Sequence, residues 1–83
     1  MMILQYPVAT EKALGLAESQ NIIVYVVNMD ATKSEIREEF ESTFKVKVEK
    51  VNTVREPYNV KRAYIKLGSG YPASDIAKRL KLV

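Results

Sequence analysis

Residues 22–27 read Ile22-Ile23-Val24-Tyr25-Val26-Val27, and this stretch decides the fold. All six residues are β-branched or aromatic, which favours a strand. The stretch lacks the alternation of apolar and polar residues that a half-exposed strand shows, and such a run is typical of a strand covered on both faces. We therefore predict that residues 22–27 form the central strand of a sheet, with the remaining elements arranged around it.

The segment before the central strand predicts an edge strand and a helix. The strand covers Met2 to Tyr6 and ends at Pro7, because proline cannot donate a ladder hydrogen bond. Thr10 is a candidate N-cap for a helix over residues 11–18, since its hydroxyl can accept a hydrogen bond from an amide of the first turn. Three residues of that helix are expected to face the core: Ala13, Leu14 and Ala17.

The segment after the central strand predicts a second helix. Thr32-Lys33-Ser34-Glu35 has the form of a capping box, in which the threonine hydroxyl and the glutamate carboxylate each accept an amide hydrogen bond. Ile36, Phe40 and Phe44 then recur every four residues and so lie on one stripe. We expect this helix to run to about Phe44 and to pack by that stripe.

A hairpin and a last helix complete the predicted order. Val46 and Val48 alternate with polar residues, whereas Val51 and Val54 fall out of that phase, so we expect a bulge near Glu49-Lys50. A turn over residues 56–59 leads into a strand over residues 60–67, and a final helix begins at Ser74 or a neighbour. The sequence thus predicts a single α+β domain over residues 1–83 in the order strand, helix, strand, helix, strand, strand, helix.

Composition restricts the class of function. A chain of 83 residues has material for one core only. Without cysteine and histidine it lacks disulfides, thiolate metal ligands and the usual neutral-pH base, so we expect neither catalysis nor a metal or cofactor site. The longest apolar run is too short to cross a bilayer, and residues 1–7 do not have the features of a signal peptide. We therefore expect a cytoplasmic protein.

The two halves of the chain carry opposite charge. Residues 1–44 hold three Lys or Arg against seven Asp or Glu, whereas residues 45–83 hold ten against three. A basic half of this kind is common in proteins that contact phosphate, although it also occurs in proteins without a nucleic-acid partner.

The strongest candidate for a binding surface is the polar face of the predicted hairpin. One strand presents Arg62, Tyr64 and Lys66 there, and the other presents Lys47, Lys50 and Asn52, subject to the bulge. Cations that surround an aromatic ring suit the phosphates and bases of RNA. The alternatives are an ordinary solvated face of an antiparallel sheet or a face covered by a helix.

The start of the second helix is a further candidate. Thr32, Lys33 and the free amides there could bind a phosphate. An ordinary exposed lysine explains Lys33 equally well.

Three segments of the chain are similar to one family. They are Pro7-Val8-Ala9-Thr10-Glu11-Lys12-Ala13, then Asp30 to Ile36 followed by Val46 to Thr53, and Lys61-Arg62-Ala63-Tyr64-Ile65-Lys66-Leu67. Together they resemble the large-subunit ribosomal protein L-twenty-three family in its archaeal type, over nearly the whole chain. Gly68 stands where that family has a polar residue.

The resemblance implies a fold, a ligand and partners. It implies a three-layer α/β/α fold around a small, mainly antiparallel four-stranded sheet. It implies binding to the third domain of large-subunit ribosomal RNA beside the polypeptide exit tunnel, among neighbouring ribosomal proteins. It also implies a docking site for signal recognition particle and other exit-site factors, with Glu11 as a contact. The RNA-contact residues implied are Lys12, Thr32, Lys33, Lys47, Lys50, Asn52, Thr53, Lys61, Arg62, Tyr64 and Lys66.

The chain differs from the bacterial members in one loop, and one rival interpretation of the sequence stands beside the resemblance. Bacterial members have a long loop between the last two strands that reaches into the tunnel, whereas only residues 56–59 join them here. The rival interpretation is a ferredoxin-like regulatory or protein-interaction module whose basic strands serve an acidic partner.

Overall fold

The computed structural model of the chain describes residues 3–80, and its elements follow the predicted order. The strands and helices are β1 (Leu4–Pro7), α1 (Glu11–Gln20), β2 (Ile22–Val27), α2 (Lys33–Phe44), β3 (Val48–Glu56), β4 (Val60–Leu67) and α3 (Ala73–Arg79). Met2, predicted as the start of the first strand, lies outside the described residues.

The four strands form one antiparallel sheet in the order β1-β2-β4-β3. β2 is an interior strand and its last five residues are buried, which confirms the prediction of a central strand. β1 and β3 are the two edges. The interior position explains why the alternation of polar residues is missing from β2, since both of its faces are covered.

One face of the sheet, called the core face here, packs against α2 and α3. Tyr25 and Ile65 belong to this face, and the predicted stripe of Ile36, Phe40 and Phe44 is buried against it. The ring of Phe40 stands edge-on to that of Tyr25, with 6.2 Å between the centroids. The helix starts at the predicted capping box, in which both reciprocal hydrogen bonds are formed.

The opposite face, called the outer face here, is partly covered by α1. Ala13 and Leu16 of this helix line a narrow cleft together with Val24 and Tyr64 of the sheet. Thr10 accepts a hydrogen bond from Ala13 N at 3.2 Å and caps the helix as predicted. Helices therefore lie on both faces of the sheet, and the fold has three layers.

The predicted bulge is present in β3. Val48 is paired with Leu67, but the next pair is Lys50 with Lys66, so the register shifts between these two positions. Because of this extra residue, Val48 and Val51 both face the core while Lys50 faces outward. The bulge thus sets which side chains of β3 reach the outer face.

Asn21 joins three elements at the far end of the sheet. It ends α1 in a left-handed conformation with φ 60°, and its Nδ2 donates to the carbonyls of Leu67 at 3.2 Å and Tyr71 at 3.1 Å. Its Oδ1 accepts from Ala73 N at 2.6 Å. α3 begins at Ala73, the neighbour of Ser74, as predicted. Pro72 before it makes no side-chain cap bond, so Asn21 supplies that cap.

Candidate nucleic-acid interface

The outer face carries five of the eleven predicted RNA-contact residues in three neighbouring cross-strand pairs. The pairs of β3 and β4 residues are Lys50 with Lys66, Asn52 with Tyr64 and Val54 with Arg62. Residues directly opposite each other in an antiparallel sheet project to the same face. The structure therefore places two lysines, an amide with a phenol ring, and a guanidinium in successive rows.

The lysine pair is unusual because like charges directly opposite destabilise a sheet. Lys66 Nζ lies 4.0 Å from Glu49 Oε1, but both side chains are about half exposed and such an ion pair contributes little. Lys50 is exposed and the described residues give it no ion pair. Two lysines against one carboxylate leave this row with a net positive charge that an anion can bind.

Arg62 is less available than the lysines. Its Nε lies 3.0 Å from Glu56 Oε1, and this ion pair partly neutralises the guanidinium. The Nε atom is buried and the contact lacks hydrogen-bond geometry, so its N–H has no hydrogen-bond partner within the described residues. Arg62 thus has a local anionic partner and also an N–H that its partner does not satisfy.

Lys12 joins this face from α1. It is exposed and lines the narrow cleft with Arg62 and Tyr64. The cleft holds only about 30 Å³, which is room for a water molecule and not for a base. Lys12 therefore extends the basic surface beside Tyr64, while the phenol ring itself is half-buried against the helix.

Two implied residues within the hairpin strands, one on β3 and one on β4, do not reach the outer face. Thr53 is paired with Ala63 and faces the core side, where it is half-buried. Lys61 is 9% exposed, and its Nζ donates to Ala31 O at 2.7 Å and to Met29 O at 3.4 Å. The alternation that puts Arg62 outward puts Lys61 inward, where its ammonium holds the turn before α2. The structure therefore gives no support to Lys61 as an RNA contact, which stays a prediction.

The start of α2 lies on the other side of the sheet from the outer face. Thr32 N donates to Glu35 Oε1, and Glu35 N donates to Thr32 Oγ1. A carboxylate of the chain already occupies this helix start, which weakens the case for a phosphate there. Lys33 is exposed, and Lys47 is exposed ahead of β3, but neither is brought together with the three rows.

Glu11 is the first residue of α1 and is exposed. It stands beside the cap residue Thr10, on the helix that carries Lys12. A carboxylate in this position is favoured by the helix dipole and remains free to contact a partner.

Sequence reasoning missed two exposed aromatic residues. Tyr58 in the hairpin turn is 96% exposed, and Tyr6 on β1 is 55% exposed. Tyr6 is paired with Val26 and so belongs to the outer face. Their proximity depends on the order of the strands in the sheet, which the sequence does not show. Tyr58 could still have been noticed by itself, since a bulky apolar ring is rare in a turn.

Other kinds of site find no support in residues 3–80. No group of three acidic, histidine or cysteine side chains there could hold a metal ion. The three helices are too short or too polar to span a membrane.

Comparisons with known proteins show the family to which the chain belongs. A family model described as Ribosomal protein L23 matches residues 2–75. The large ribosomal subunit protein uL23 of the archaeon Pyrobaculum aerophilum is 49% identical over 73 residues, which cover 88% of this chain and 90% of that protein. The protein of the same name from Trypanosoma brucei brucei is 38% identical over 81 residues, covering 98% of this chain and 49% of that longer protein. Since the match covers nearly the whole chain, this chain belongs to the ribosomal protein L23 family.

Proposed function

We propose that the chain is a structural constituent of the large ribosomal subunit, in the cytoplasm, and that it binds large-subunit ribosomal RNA with its outer face. Family membership supports the first part, and the family is one of structural proteins, not enzymes. The observation that carries the second part is the pair of Lys50 and Lys66, a repulsive arrangement that a phosphate would relieve. The family match also favours this function over a ferredoxin-like regulatory module.

The proposed contacts divide by chemistry. Lys50, Lys66 and Lys12 neutralise backbone phosphates, which supplies affinity without reading sequence. Asn52 and Tyr64 contact sugar or base edges between them, and Arg62 contributes through its outward nitrogens. Lys33 and Lys47 are candidates for separate, peripheral phosphate contacts. Thr53 and Lys61 are left out because their side chains serve the core face.

The place proposed for this RNA contact is the third domain of the ribosomal RNA, beside the exit tunnel and among neighbouring ribosomal proteins. The strands β3 and β4 are joined by residues 57–59 alone. A turn of this length cannot extend far from the body of the domain. We therefore propose that another protein occupies the part of the tunnel wall where bacterial members insert a loop.

Glu11 is proposed as a contact for signal recognition particle and other nascent-chain factors. Its exposure at the start of α1 supports this role, because the carboxylate is accessible and the helix fixes its position.

The decisive experiment measures binding of the purified protein to a transcript of the third RNA domain at several salt concentrations. The double variant Lys50→Gln with Lys66→Gln removes two phosphate contacts, so we expect a weaker complex and a slope of log K against log salt that is shallower by about 1.4 to 1.8. Arg37→Gln with Lys78→Gln is the matched control, since both residues are exposed on helices and the net charge changes equally. Equal effects of the two double variants would refute a specific role for the outer face.

A further inference from the structure

An open groove of about 550 Å³ lies at the hairpin end of the outer face. Residues 6–9 form one wall and the hairpin turn forms the other, while β2 and β4 lie beneath. Its lining includes Tyr6, Glu56, Tyr58 and Arg62.

Two of the most exposed apolar side chains stand in this groove. Tyr58 is 96% exposed and Tyr6 is 55% exposed, and Val54 of the adjoining row is 46% exposed. Aromatic rings grouped on the surface of a small domain commonly mark an interaction site. The groove therefore has the surface of a binding site.

The turn fixes Tyr58 in a costly conformation. Tyr58 and Asn59 have φ of 66° and 59°, a region that asparagine tolerates and a bulky residue rarely adopts. The ring contributes almost no burial that would compensate for this cost. A tyrosine here is thus poorly explained by the stability of the fold.

Charge decides what kind of partner suits the groove. Glu56 and Arg62 neutralise each other on its floor, so the groove itself favours an uncharged, flat group. The lysine row lies four residues further along β4, about 14 Å away at the rise of an antiparallel strand. Neutral aromatic surface at one end and cations at the other match the alternation of base and phosphate along a single RNA strand.

We propose that this groove binds an unpaired base of the RNA, stacked on the ring of Tyr58 with Tyr6 as the second wall, while phosphates of the same strand lie against Lys50 and Lys66. This inference rests on the proposed function and specifies the form of RNA that the outer face takes: a single-stranded segment, not only a duplex surface. Stacking on tyrosine accepts any base, so the contact selects an unstacked conformation more than a sequence.

The test compares Tyr58→Asn with Tyr58→Phe in the same third-domain RNA binding assay. Tyr58→Asn removes the ring and suits the left-handed backbone, so the variant will fold at least as well as the parent. We expect its affinity to fall about tenfold, whereas Tyr58→Phe keeps the ring and should stay within about twofold. The salt dependence of Tyr58→Asn should match that of the parent, because no phosphate contact is lost.

Ultraviolet cross-linking of the complex locates the base directly. We expect a nucleotide adduct on the peptide containing Tyr58 or Tyr6, and its loss in Tyr58→Asn. Unchanged affinity in Tyr58→Asn, together with weaker binding by the lysine double variant, would overturn the groove proposal and leave the proposed function intact.

Two further outcomes separate the remaining possibilities. If Tyr58→Asn binds RNA normally but large subunits carrying it lose a neighbouring protein, the groove is a protein contact and the proposal is wrong. If the parent protein binds no ribosomal RNA at all, the proposed function fails, and this inference fails with it.

Discussion

Asn21 offers the sharpest test of how this small fold is held together. Its side chain makes three hydrogen bonds, to Leu67 O, Tyr71 O and Ala73 N. Each partner lies more than 45 residues away along the chain. Removing the side chain should therefore loosen the junction of α1, β4 and α3 at once.

The two substitutions Asn21→Gly and Asn21→Ala separate the side chain from the backbone. The three hydrogen bonds are partly buried, so we take a net contribution to stability of about 0.7 kcal/mol for each. Asn21→Gly should therefore lower the free energy of unfolding by about 2 kcal/mol. Asn21→Ala should lose about 1 kcal/mol more, because alanine pays for the left-handed conformation at φ 60°. For a domain of this size the melting temperature should fall by roughly 4–8 °C for each kcal/mol.

The assay is urea unfolding followed by circular dichroism at 25 °C, with thermal melts as a second measure. Gln20→Ala is the matched control, since this neighbour is exposed and should change stability by less than about 0.5 kcal/mol. If Asn21→Gly behaves like Gln20→Ala, the three hydrogen bonds contribute nothing net and the argument is refuted. If Asn21→Ala is no worse than Asn21→Gly, the backbone conformation is not a constraint.

Three other predictions follow from single residues. Lys61→Met should cost about 2 kcal/mol in urea unfolding, because two carbonyls lose their donor, yet leave RNA affinity per folded molecule unchanged; a selective loss of affinity would restore Lys61 as an RNA contact. Burial raises the pKa of the Tyr25 phenol above 10.0, so the unfolded state loses this proton at lower pH than the folded state. The free energy of unfolding should therefore fall as the pH rises beyond 10, and Tyr25→Phe should reduce that fall. Identical alkaline stability profiles of parent and variant would contradict this prediction. Glu11→Ala should weaken binding of signal recognition particle to large subunits in a pelleting assay, whereas Glu18→Ala, an exposed acidic residue of the same helix, should not; equal losses would count against Glu11 as the contact.

Much of the fold could be predicted because its signals are local. Three such signals depend on residues that are close together in the sequence. They are the capping box at Thr32 and Glu35, the stripe through Phe40 and the uninterrupted apolar run of β2. The bulge near Lys50 was also predictable, because a change of phase between valines is visible in the sequence.

The parts that could not be predicted depend on distant contacts. The bonds of Asn21 span 46 to 52 residues, and no local pattern indicates them. The groove between Tyr6 and Tyr58 exists because β1 and β4 flank the same central strand, which no local pattern indicates. Lys61 is a different case: period-two alternation in β4 does place it inward, and the family resemblance carried it over in spite of that pattern.

The facing lysines of β3 and β4 would also make the stability of each copy depend on its assembly into the ribosome. Like charges directly opposite on two strands destabilise the pair, although Glu49 offsets part of this effect at Lys66. Under the proposed function, an RNA that binds only the folded state would remove the remaining cost and add its own binding energy to stability. If the proposed contact holds, surplus copies without RNA should be cleaved by proteases faster than copies bound in the large subunit. Through this one row of the sheet, the number of surviving molecules can follow the number of ribosomes without a dedicated regulator.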